Sequence, residues 1–192
     1  MPRKIISLDC DGVLTEGGFV PPELRTNKEY CKINPREDAI ASIHWLSTIY
    51  DIYIISQRSH VDSNLGLRAW LHWVLGLELD TIAGVITGPS GGAAEGTLMD
   101  KPLIVRALGC VAHFDDNPHH LEGMPGVGVL FPSDMPESVA AINTFPTIHG
   151  WEGVREFLTT PGMTLHGTNG QTITSPAEKF VLDYTKEESA IQ

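Results

Sequence analysis

The sequence predicts an α/β fold of three layers, a central and mostly parallel sheet with helices on both faces. Two observations carry that prediction. Short apolar runs rich in β-branched residues recur along the chain, and several are apolar nearly throughout, as strands covered on both faces are. Between them lie segments with helical spacing and helix start and stop signals, and strands alternating with helices build parallel sheets. A chain of 192 residues suits one domain with a core large enough to be stable unaided.

The first strand is KIISLD (4–9). In NPREDAIASIHWLSTIY, Asn34 is a candidate N-cap, Pro35 sits at the first helical position and Glu37 follows three residues after the cap, which predicts a helix over 35–50 with a stripe of Ile40, Ile43, Leu46 and Ile49. YDIYIIS (50–56) is the second strand, and DSNLGLRAWLHWVLG the helix after it, carrying Trp70, Leu71 and Val74 and ending at Gly76. TIAGVIT (81–87) is the third strand. The stretch GPSGGAAEG (88–96) is a flexible loop by composition and lacks the Gly-Lys-Ser/Thr ending of a phosphate-cradling P-loop. DKPLIVRALG opens on Asp100 as a cap and closes on Gly109. GCVAHFDD (109–116) and GVGVLF (126–131) complete the strands, and WEGVREFL (151–158) is the last core helix. Beyond it the chain turns Thr-, Gly- and Ser-rich, so the expected organisation is a catalytic core over 1–158 and a peripheral tail over 159–192, with a short helix near PAEKFVLDY.

Formal net charge is −11, and a surface that negative repels a phosphate backbone, which disfavours long nucleic acid as a partner. The three cysteines have no framework spacing, which suits a reducing, cytoplasmic setting. The N-terminal apolar run stops at Asp9, too short for a signal peptide or a membrane span. No membrane partner is expected, and a homo-oligomer is allowed.

In an open parallel sheet the site lies beyond the carboxyl ends of the strands. Asp9 and Asp11 end the first strand there, Ser56, Gln57 and Arg58 the second, and Asp115 and Asp116 the fourth, while Lys101 opens the helix leading into the fourth. Two carboxylates at the end of a buried strand repel each other and need a cation. Asp9, the Asp11 carbonyl and one of Asp115 and Asp116 offer hard oxygen ligands, and the cation that suits few protein ligands plus water and phosphate is Mg²⁺. A carboxylate beside that cation and Lys101 can attack phosphorus, and a second carboxylate can protonate the leaving oxygen and then deprotonate water. Ser56 and neighbouring N–H groups would hold the phosphoryl oxygens.

DCDGVLT, IIS, DKP and FDD, in that order, resemble the four motifs of the haloacid-dehalogenase-like (HAD) phosphatase superfamily across roughly residues 4–158. The resemblance implies a Rossmann-like core, Mg²⁺, Asp9 as nucleophile, Asp11 as acid/base, Ser56 on phosphate and Lys101 as the charge clamp. It also implies Asp116 as the direct metal ligand, with Asp115 acting through water or from behind. DKPLIVRALGCVAHFDDNPHHLEG, GVLF and IHGWEGVREFL are similar to the 5′(3′)-deoxyribonucleotidase branch, which implies a small phosphorylated substrate, a nucleoside monophosphate. That branch carries a helical cap between the first two motifs. Here about 45 residues separate Asp11 from Ser56, leaving over 15–34 a loop or minimal cap with Phe19 and Tyr30.

The expected function is therefore a Mg²⁺-dependent phosphomonoesterase working through an aspartyl-phosphate. A polynucleotide 3′-phosphatase and a binding protein that keeps the fold without turnover are the alternatives. Other residues have plainer readings. His113 is a packed strand histidine, and a carboxylate site prefers oxygen to His119 or His120. Trp45, Trp70 and Trp73 belong to the core or an interface, and Cys10 to packing. Arg58 serves either its own loop or the phosphate.

Overall fold

A computed structural model describes residues 2–17, 30, 32–57, 61–77, 81–88 and 99–178, with 61–64 described through their backbone only. Arg58, Phe19, most of the 15–34 segment, the glycine-rich stretch after Gly88 and most of PAEKFVLDY lie outside these residues.

Strands β1 (Lys4–Leu8), β2 (Tyr50–Gln57), β3 (Gly84–Gly88), β4 (Ala112–Asp115) and β5 (Gly128–Leu130) form a parallel sheet in the order β3-β2-β1-β4-β5. The chain runs outward from β1 to β3, then crosses back to place β4 on the other side of β1. The carboxyl ends of β1 and β4 therefore flank the point where the winding direction reverses, where open α/β sheets hold their ligands. Helices α1 (Ala39–Leu46), α2 (Val61–Trp73) and α6 (Gly150–Thr159) pack on one face, where Ile6 and Leu8 of β1 join Ile43, Leu46, Trp70 and Phe157 in one buried cluster. Helices α3 (Lys101–Leu108) and α4 (Pro118–Leu121) cover the other through Ile55, Val105, Leu121 and Leu130. The α/β expectation holds: one parallel sheet lies between two helical layers.

Helix α3 follows its sequence signals closely. The Asp100 side chain accepts from Leu103 N at 2.8 Å, and Gly109 ends the helix with φ at 68°. At such a φ an L side chain is strained, hence the glycine. The helix predicted over 35–50 instead starts at Ala39, with Asp38 rather than Asn34 at its cap position. Asn34 and Arg36 are held elsewhere: Glu16 N donates to Asn34 O at 2.9 Å, and Arg36 N to Leu14 O at 2.7 Å. That pairing with the loop after β1 overrides the local Asn-Pro cap signal. The buried stripe consequently runs through Ala39, Ser42, Ile43 and Leu46, and Ile49 is exposed.

Four elements have no counterpart in the sequence: α4, α5 (Pro136–Ala140), and the strands β6 (Thr164–His166) and β7 (Thr172–Thr174), which form an antiparallel hairpin. The hairpin inserts Ile173 into the main core, and Pro176 O accepts from Lys4 Nζ at 2.6 Å. Among the described residues no helix is long and apolar enough to cross a membrane.

Candidate active site

The register of the sheet assembles the site. Leu8 pairs with Phe114, so the next residues, Asp9 and Asp115, leave adjacent strands side by side, and Asp9 N donates to Phe114 O at 2.8 Å. Leu8 also pairs with Ile54, which puts Ser56 just past the same edge on the far side of β1. Lys101 enters from the start of α3. Its Nζ donates to Asp9 Oδ1 at 2.7 Å and to Asp115 Oδ2 at 2.6 Å, with all three side chains nearly or fully buried.

Asp115 is held by more than the lysine. His113 Nε2 lies 3.2 Å from its Oδ2, His120 Nδ1 lies 3.1 Å from both oxygens, and Asn117 N donates to Oδ1 at 2.9 Å. Behind it, Ser7 Oγ and His113 Nδ1 stand 2.9 Å apart. Burial alone would raise the Asp115 carboxyl, but Lys101, His120 and the histidine hydrogen bonds outweigh it and hold the group well below the ordinary carboxylate range. Lys101 shows the reciprocal effect: burial pulls it down, but Asp115 and Asp9 hold it above its usual range.

Asp116 is different. It follows the last residue of β4, and Ser133 and Arg36 lie near its carboxylate. It is 2% exposed, and its Oδ2 has no hydrogen-bond partner among the described residues. Burial, then the charges of Asp9 and Asp115, push its carboxyl up to about 9 against the opposing pull of nearby Ser133 and Lys101. Asp9 is also raised, by burial first and by Asp115 and Asp11, against the pull of Lys101.

Oxygens of Asp9, Asp115 and Asp116 lie within 4.8 Å of one another, all from buried residues. With Asp11 there are four carboxylates and one ammonium, so the cluster lacks positive charge when ionised. A hard divalent cation fits this donor set: it supplies that charge and a partner for the orphaned Asp116 oxygen, which otherwise has to carry a proton. The Asp11 carboxylate is not part of the convergent set; its Oδ1 accepts from Tyr30 Oη at 2.6 Å.

Of the expected phosphate-binding residues, Ser56 is buried near the end of β2, and its side chain makes no hydrogen bond to a described residue. Gln57 Oε1 lies 3.1 Å from His120 Nε2, and Arg58 is outside the described residues. Trp70 is fully buried, whereas Trp45 and Trp73 are exposed. The part played by His120 was missed. Its signal was present, because Asn117 followed by Pro118 is a cap and first-turn pair; the Asn117 side chain accepts from His119 N, and the single turn of α4 delivers His120 back to Asp115.

A cavity of about 560 Å³ adjoins Ser133, walled by Glu16, Arg36, Asp134, His149 and Trp151 among others. Trp151 Nε1 donates to Val13 O at 3.2 Å, tying α6 to the loop that carries Asp11.

No family model matches the sequence, and no curated protein matches it. Among solved structures, the chain is similar to the HAD domain of the effector protein Lem4 from Legionella pneumophila. One structure of that domain has 18% identity and a TM-score of 0.47, covering 72% of this chain and 91% of that one. An inactive mutant of it has 21% identity and a TM-score of 0.44, covering 65% and 77%. A likeness at that level is one of general architecture and carries nothing about chemistry.

Proposed function

We propose that this protein is a metal-dependent phosphomonoesterase of the HAD type, with Asp9 as nucleophile. The observation that supports this reading best is the Lys101 ammonium set between Asp9 and Asp115 at the reversal point of the sheet, beside the partnerless oxygen of Asp116. Lys101 and the helix it opens fix the Asp9 carboxylate, and the histidines fix Asp115 behind it.

In the first step an Asp9 oxygen bonds to phosphorus while the bond to the leaving oxygen breaks, and Asp11 gives its proton to that oxygen. In the second, water attacks phosphorus and returns a proton to Asp11; the bond to Asp9 breaks, and inorganic phosphate leaves. Ser56 and Gln57 would hold phosphoryl oxygens from the β2 side. Asp9, Asp116 and the Asp11 carbonyl would hold Mg²⁺, with Asp115 behind them. When bound, that ion supplies charge neutralisation for the phosphoryl group and the carboxylates.

The favoured substrates are small phosphate monoesters, nucleoside monophosphates first, following the pattern of the second half of the chain. Net charge −11 disfavours long polyanions. The test is phosphate release from 5′- and 3′-nucleoside monophosphates, a 3′-phosphorylated oligonucleotide and 4-nitrophenyl phosphate, each with Mg²⁺ and with chelator. Release that needs the metal and disappears in Asp9→Asn is the expected result. Mg²⁺ and phosphate-ester binding without release from any substrate would mark a silent binding protein and sink the enzyme reading.

A further inference from the structure

We infer that Tyr30 is a positioning residue for the acid/base carboxyl of Asp11, an assignment that rests on the phosphatase reading above. The phenol is fully buried, and its hydroxyl donates to Asp11 Oδ1 at 2.6 Å, a short hydrogen bond. Sequence offers no reason for the pairing, since Tyr30 lies 19 residues beyond Asp11.

Three contacts seat the ring. Its edge meets Trp70 of α2 with centroids 5.8 Å apart and planes at 80°. Trp70 Nε1 donates in turn to Ile33 O at 2.8 Å, fixing the chain just after Tyr30. The Tyr30 hydroxyl also lies 3.3 Å from Cys10 Sγ, between the two aspartates. Tyr30, from the 15–34 segment, is thus fully buried against the Asp11 carboxylate.

The consequence is directional. A carboxyl that hands a proton to a leaving oxygen, and later takes one from water, has to present the same oxygen each time. With Oδ1 committed as acceptor to the phenol, the transferable proton resides on Oδ2, and the carboxyl plane cannot swing without breaking a buried hydrogen bond. Tyr30 therefore acts only through Asp11, and only on steps in which Asp11 moves a proton.

That distinguishes it from a packing residue. Tyr30→Phe keeps the ring against Trp70 and deletes the hydroxyl alone. The experiment measures kcat/KM, which reports the step up to loss of the leaving group, for a series from 4-nitrophenyl phosphate to unsubstituted phenyl phosphate with Mg²⁺. The expected result is near-normal kcat/KM with the 4-nitrophenyl ester, whose leaving group needs little protonation. A loss of about tenfold or more is expected with the phenyl ester, within the range of a compromised general acid. In an Asp11→Asn background, Tyr30→Phe should add no further loss on either ester. Equal losses on both esters, or additive losses in the double variant, would overturn the assignment and make Tyr30 a structural residue. Absence of Asp9-dependent release in the unaltered protein would overturn the phosphatase reading itself, and the assignment with it, before Tyr30 is touched.

Discussion

Lys101 sits at 1% exposure with carboxylates 2.7 and 2.6 Å away, and that burial makes its charge structural as well as chemical. Lys101→Met keeps the stem and removes the ammonium, leaving Asp9 and Asp115 together without their shared counter-charge. Breaking a buried pair in this way costs about 3–5 kcal/mol, so the urea midpoint should drop clearly and phosphate release should vanish. An unchanged midpoint would mean that Asp115 is neutralised by its histidines alone. Sequence made the principal residues legible because each follows a strand or opens a helix at one sheet edge: Asp9 after β1, Asp115 and Asp116 at the end of β4, Lys101 after the Asp100 cap. The contact of Tyr30 with Asp11 was not legible, since the two lie 19 residues apart and no local pattern encodes their pairing.

Helix α3 shows how a local signal positions chemistry. Asp100 caps it through Leu103 N, which fixes where its first residue, Lys101, enters the site. Asp100→Ala should lower stability by about 1 kcal/mol, measured by urea unfolding, while phosphate release in the absence of denaturant stays near that of the parent. A fall in release larger than the fall in stability would show that the cap also sets the Lys101 position. Helix α1 is the counter-case. Asn34-Pro35 has the chemistry of a helix start, but Arg36 N is taken by Leu14 O and the turn begins four residues later. Tertiary pairing outbids a cap worth about 1 kcal/mol because it satisfies backbone groups that would otherwise be buried unpaired. The hairpin of β6 and β7 was illegible for another reason. Its strands, Thr-Leu-His and Thr-Ile-Thr, bury little beyond Ile173, so they lack the apolar run that marks the strands of the main sheet.

The winding order β3-β2-β1-β4-β5 brings four carboxylates to one edge of an already acidic chain, and the whole molecule has to tolerate that charge. The consequence can be read in its response to pH. Asp116 is pushed up to about 9 in the folded protein from an ordinary value of 3.8, so across that window the folded chain binds a proton that the unfolded chain has released. Stability linked to this proton is fully present below about pH 3.8 and is lost as pH rises through about 9. Asp9 is shifted in the same direction and adds to the slope. Asp115, held low, acts with the opposite sign but only on the acid side, where its stabilisation is lost as pH falls through its folded-state value. In chelator, the thermal unfolding midpoint should therefore decline from about pH 5 to about pH 9, and Asp116→Asn should flatten most of that decline. A divalent cation competes for the same carboxylate. Its affinity should rise roughly tenfold per pH unit until Asp116 is ionised, so the increase in midpoint produced by Mg²⁺ should grow over the range in which the chelated protein weakens. A midpoint in chelator that is flat or rises between those limits, or a Mg²⁺ effect independent of pH, would mean that Asp116 is ionised without the ion and that the orphaned oxygen is not where the cation binds.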